Sequence, residues 1–109
     1  MYFENINFNG KSVALIGENP TNTIIDGGTG NNLPAVTLHD YNYFSNTHIT
    51  GFSIQNYGND GISILNAGTP KVSNCILNGI NGAPSGAIYV GGDGIGSSVI
   101  IERCLIFGN

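Results

Sequence analysis

The sequence predicts an all-β fold, a right-handed parallel β-helix (solenoid) of about four coils, and three observations predict it. Short apolar alternations recur in phase: Val36-Thr37-Leu38, Ile62-Ser63-Ile64 and Ile88-Tyr89-Val90 follow one another at steps of 26 residues. The chain carries 17 Gly and 16 Asn, two residue types that tolerate left-handed backbone, so it must turn often and tightly. No stretch offers apolar residues at i, i+3, i+4 and i+7 over a helix length, which leaves period-2 strands as the repeating unit. An antiparallel sandwich would also show frequent turn signals, but it gives no reason for whole coils to match in phase. A solenoid does, because equivalent residues stack about 4.8 Å apart and each coil buries its apolar face only against its neighbours.

Taken in order, Ile6-Asn7-Phe8-Asn9-Gly10 matches Cys75-Ile76-Leu77-Asn78-Gly79, which places Phe8 in one inward stack with Ile54, Leu77 and Ile106. Val13-Ala14-Leu15 lies 23 residues before Val36 and is read into that lane, giving the inward stacks Val13/Val36/Ile62/Ile88 and Leu15/Leu38/Ile64/Val90. Ile25-Asp26-Gly27 lies 24 residues before Ile49 and opens a second lane, continued by Ile49 to Ile54, Val72 to Leu77 and Ile101 to Ile106. That lane predicts the inward stacks Ile25/Ile49/Val72/Ile101 and Phe52/Cys75/Cys104. Thr37/Ser63/Tyr89 and Asp26/Thr50/Ser73/Glu102 point outward. Gly27/Gly51/Asn74/Arg103 is a corner that suits a left-handed residue, and Arg103 departs from the pattern, so the last coil is expected to bend differently. Gly82-Ala83-Pro84-Ser85-Gly86 reads as an inserted loop. The whole chain, 1–109, is expected to form one domain, on its own or as a piece of a longer solenoid.

The runs Glu4 to Lys11, Leu15-Ile16-Gly17-Glu18-Asn19-Pro20 and Thr23-Ile24-Ile25-Asp26-Gly27 resemble the opening of right-handed parallel β-helix repeat proteins of the pectate-lyase-like superfold. Gly51-Phe52-Ser53-Ile54-Gln55-Asn56 with Gly61-Ile62-Ser63-Ile64 resembles an interior coil of the same group. The resemblance implies three strands per coil and an extracellular or cell-surface location. It does not imply one activity, since such coils serve lyases, hydrolases, epimerases, adhesins and passive spacers alike.

Charge narrows the classes. With Lys11, Lys71 and Arg103 as the only Lys and Arg and a net charge of −4, the chain lacks the cationic cluster a phosphate backbone requires, so no nucleic-acid partner is expected. No apolar run is long enough for a membrane helix, and no membrane insertion is expected. Enzymes resembling this fold work along the first strand, read here as Ala14/Ile16, Thr37/His39, Ser63/Leu65 and Tyr89/Gly91. That face carries neither carboxylate nor Lys or Arg, whereas glycosidases need paired carboxylates and lyases a base with a charge-neutralising cation. Asp40 and Asp93 flank it from turns two coils apart, roughly 10 Å by stacking distance, and read as turn formers like the Asp of Asp60-Gly61. No catalytic residue is assigned.

His39 and His48 bracket a loop with Asp40 as the one nearby third ligand, and neither a metal nor a cofactor is expected. Gly27 to Asn32 is a single imperfect copy of a calcium-type repeat, and Gly91 to Gly96 fails the dinucleotide spacing. Thr37, His39, Tyr41, Tyr43 and Tyr89 form a candidate carbohydrate-binding set, since flat aromatics can stack on sugar rings. Three functions stay open: a non-catalytic extracellular scaffold that self-assembles head to tail or joins flanking coils, a carbohydrate-binding module, and the core of a polysaccharide lyase or hydrolase. Cys75 and Cys104, stacked in register with parallel side chains, are expected to be reduced thiols.

Overall fold

The computed structural model describes residues 1–9, 13–28, 30, 32–39, 47–65, 69–79, 86–91 and 98–108. Among them run thirteen short strands and no helix: β1 (Tyr2–Phe3), β2 (Ile6–Asn7), β3 (Ala14–Ile16), β4 (Ile24–Asp26), β5 (Val36–His39), β6 (His48–Thr50), β7 (Ser53–Gln55), β8 (Ile62–Leu65), β9 (Lys71–Ser73), β10 (Ile76–Asn78), β11 (Ile88–Gly91), β12 (Ile100–Glu102) and β13 (Leu105–Phe107). The chain visits three sheets in rotation. Sheet 1 has the order β1-β4-β7-β10-β13, sheet 2 β11-β8-β5-β2 and sheet 3 β12-β9-β6-β3. Every pairing is parallel, and each strand pairs with the strand three places on. This is a parallel β-solenoid of about three turns with three strands per coil, close to the four coils that the spacing predicts.

From the second coil onward the register is the one the repeat predicts. Val36, Ile62 and Ile88 are vertical neighbours in sheet 2, Ile49, Val72 and Ile101 in sheet 3, and Ile54, Leu77 and Ile106 in sheet 1. The first coil differs by one lane. Val13 does not stack on Val36: Ile6 pairs with Val36, and Ala14-Leu15-Ile16 lies on His48-Ile49-Thr50. Ile25 leaves the Ile49 stack and sits under Ile54 in sheet 1, so Asp26 aligns with Gln55 rather than Thr50. Phe8 follows β2 in sheet 2, its N–H bonded to the Thr37 carbonyl, and does not share the Leu77 stack.

The corner between sheets 3 and 1 is left-handed at Gly51 (φ 83°), Asn74 (φ 49°) and Arg103 (φ 51°), so the last coil bends like the others despite its arginine. The first-coil member of this corner is Gly17, not Gly27, since Ile16 pairs with Thr50. Gly17 and Gly51 approach so closely that a Cβ on either would run into the other's backbone carbonyl.

Burial follows position along the axis. Ile25, Val36, Leu38, Ile49, Ile54, Ile62, Ile64, Val72 and Leu77 are fully buried between neighbouring rungs. Tyr57, in the turn between β7 and β8, joins them. The last rung bears equivalent side chains with no described strand above them, and Val90, Ile101 and Ile106 are each about 45% exposed.

Candidate functional site

The outward face of sheet 2 holds the described part of the candidate sugar-binding set. Thr37, Ser63 and Tyr89 form one column, with Asn7 as its first-coil member, and His39, Leu65 and Gly91 form a second beside it. Ala14 and Ile16 do not belong to this face, because β3 lies in sheet 3. Tyr89 is half-exposed, and its ring folds over Gly91 so closely that a Cβ there would meet the phenol at 2.7 Å. A half-exposed aromatic ring therefore lies along the strand, next to the buried Ser63 and two rungs from Thr37. Tyr41, Tyr43, Asp40 and Asp93 lie outside the described residues.

His48 is on a different sheet from His39. It faces outward from β6 on sheet 3, where His48 and Lys71 form one column and Thr50, Ser73 and Glu102 form the next. Sequence reasoning read Thr50, Ser73 and Glu102 as an outward stack but did not connect His48 and Lys71 to them. The signal was present: each stands two residues before a member of that stack, hence on the same face. Ser73 Oγ lies 3.0 Å from Thr50 Oγ1 and 2.9 Å from His48 Nε2, so the three side chains form one hydrogen-bonded row whose direction follows the imidazole tautomer. Lys71 Nζ lies 2.8 Å from Glu102 Oε1, and its hydrogen bond and charge hold the Glu102 carboxyl below its ordinary range. Thr47, His48, Thr69, Lys71 and Ile100 line a shallow cavity of about 350 Å³ beside this patch.

The buried carboxylates are structural in their bonding. Asp26 Oδ2 accepts from the Gln55 and Asn56 side-chain amides at 3.1 and 2.8 Å, and Oδ1 from the Gly28 N–H at 3.1 Å. Asp60 Oδ1 accepts from the Gly86 N–H at 3.3 Å. Among the described residues no three His, Cys, Asp or Glu side chains converge on a common point where a metal ion could sit.

Cys75 and Cys104 are both free thiols. Each donates to the carbonyl two residues back, Cys75 to Ser73 at 3.2 Å and Cys104 to Glu102 at 3.3 Å. The two side chains thus point the same way, as parallel stacking requires. Burial pushes the Cys75 thiol up to about 11.

The open end of the first coil carries a cavity of about 310 Å³ whose walls include Tyr2, Ile6, Leu15 and Phe52, with Glu4 and Glu18 also lining it. It sits over Phe52 because the stack Phe52/Cys75/Cys104 has no apolar member in the first coil. No helix among the described residues is long and apolar enough to cross a membrane. No family model, curated protein or solved structure matches the chain.

Proposed function

We propose that this chain is a non-catalytic scaffold of the extracellular space or cell surface that extends by stacking head to tail on copies of itself. One observation carries the reading. The inward columns that are fully covered in the middle coils lie open at the ends of the described stack, with Tyr2 exposed on one and Val90, Ile101 and Ile106 on the other. Open rungs also present unpaired strand edges, which are templates for pairing with another chain. The two ends are different surfaces, and a head-to-tail contact that does not close on itself gives a filament. The test is sedimentation and electron microscopy across a wide concentration range, where unbranched one-dimensional particles are expected. A compact monomer that persists at high concentration, and after release of the end strands, would overturn the reading.

A second reading, a carbohydrate-binding face on sheet 2, is favoured by the half-exposed Tyr89 ring laid over Gly91. A glycan-array screen of the parent and of Tyr89→Ala separates the two: binding lost with the ring supports the second.

A further inference from the structure

The three sheets are unequal. Sheets 2 and 3 have four strands each and sheet 1 has five. The strands β2 to β13 fill four rungs in the order sheet 2, sheet 3, sheet 1, and β1 lies in sheet 1 one rung before β4. It is two residues long, lies on the outer edge of β4, and leaves Tyr2 54% and Phe3 78% exposed.

A second copy stacked in the same lanes would set β11 against β2, β12 against β3 and β13 against β4. Extending the observed register across that junction places Ile88 on Ile6, Val90 on Phe8, Ile101 on Leu15 and Ile106 on Ile25. All four columns continue apolar on apolar. Arg103 arrives opposite Gly17, next to Glu18, so a cation of one copy meets an anion of the other. Among the described residues one obstacle stands in the way: the β4 edge is already occupied by β1.

The occupant copies what it displaces. Tyr2 shares an inward column with Ile25, Ile54, Leu77 and Ile106, and Phe3 shares an outward column with Asp26, Gln55, Asn78 and Phe107. Tyr2-Phe3 and Ile106-Phe107 are thus the two ends of one pair of columns, each an apolar residue followed by Phe. Hydrogen-bond phase agrees as well. The Glu4 N–H donates to Asp26 O, so Glu4 and, two residues back, Tyr2 direct their backbone groups at β4. On β13, Leu105 N–H donates to Cys75 O and Phe107 O accepts from Gly79 N–H, which turns the intervening Ile106 N–H and C=O away from β10. Ile106 therefore presents to an incoming β4 the same groups that Tyr2 presents now.

We propose that β1 is an internal stand-in for β13 of a second copy: it closes the β4 edge in the single chain and must detach before copies join. This rests on the head-to-tail reading above and adds a gate to it. A gate of this kind lowers apparent affinity by the fraction of molecules in which β1 is released.

The experiment compares assembly thresholds of the parent and of the double variant Tyr2→Pro/Phe3→Glu. Proline removes the Tyr2 donor, and glutamate sets a like charge beside Asp26. Neither residue has a place in the stacked junction. The double variant is expected to form filaments at a concentration about tenfold lower than the parent. Adding Ile106→Pro, which removes a donor that β10 does not use, is expected to abolish assembly with the far-UV spectrum unchanged. If that variant loses its β signal, an excess of a peptide of residues 1–5 takes its place and should raise the double variant's threshold. Equal thresholds in parent and double variant would overturn the gate and leave head-to-tail assembly standing. Assembly that survives Ile106→Pro, or that ignores the peptide, would overturn the role of β13. Monomers throughout would overturn both readings.

Discussion

Arg103 holds a left-handed φ of 51° at a corner where Gly51 and Asn74 stand in the earlier coils. A non-glycine residue with a Cβ is disfavoured there by about 1–2 kcal/mol, and Asn is among the few that tolerate it. Arg103→Asn is therefore expected to stabilise the chain by about 0.5–1 kcal/mol in urea melts. Gly51→Ala should destabilise it by more than about 1 kcal/mol, because both φ and the Gly17 carbonyl oppose a methyl group. Cys75 gives a signature at alkaline pH. Its thiol ionises near 9 in the unfolded chain and near 11 in the folded one, so the folded state favours the protonated form. That contribution is complete below pH 9 and is lost as pH rises toward 11. Stability of the parent should fall more steeply than that of Cys75→Ala across this interval, measured as the difference in urea midpoint at each pH.

At the scale of the strand, alternation decides which side chains are buried, and position along the axis decides how completely. Ile54 is fully buried between Ile25 and Leu77, whereas Ile106, its equivalent two coils on, is nearly half exposed. Ile54→Ala should cost about 2–5 kcal/mol and Ile106→Ala under about 1.5 kcal/mol, read from equilibrium unfolding of each variant. The same alternation explains what the sequence disclosed and what it hid. In the interior coils Val36, Ile62 and Ile88 recur at equal steps, so lanes and faces could be read directly. In the first coil the steps change, and short apolar alternations such as Ile6-Asn7-Phe8 and Val13-Ala14-Leu15 fit more than one lane. Ile6-Asn7-Phe8-Asn9-Gly10 matches Cys75-Ile76-Leu77-Asn78-Gly79 as text, yet β2 pairs with β5. Asp26-Gly27 looked like Thr50-Gly51, but the Asp26 carboxylate gathers the amides of Gln55 and Asn56, a contact between two turns that no local pattern announces. On the outer faces, the Thr37–Ser63–Tyr89 column was legible from period 2. The Tyr89 ring lying over Gly91 was not, because rotamers are settled by neighbours rather than by spacing.

For the molecule as a whole, a solenoid's stability is close to a sum of coil and nearest-neighbour terms, so unfolding can begin wherever a neighbour is missing. Amide exchange should grade along the axis, with protection highest in β5 to β9 and lowest in β1, β12 and β13, as Ile54 and Ile106 illustrate. Uniform protection across all thirteen strands would show a cooperative block rather than a stack. The parallel register has one more consequence, a mechanical one. Every ladder bond between coils lies roughly along the axis, so a force pulling the two ends apart loads these bonds in tension, one rung at a time. A force applied across the axis, along the strands, loads a whole ladder in shear. The molecule is therefore soft lengthwise and stiff sideways, and a fibre made of it would give way by unwinding turn by turn, releasing length in steps of one coil.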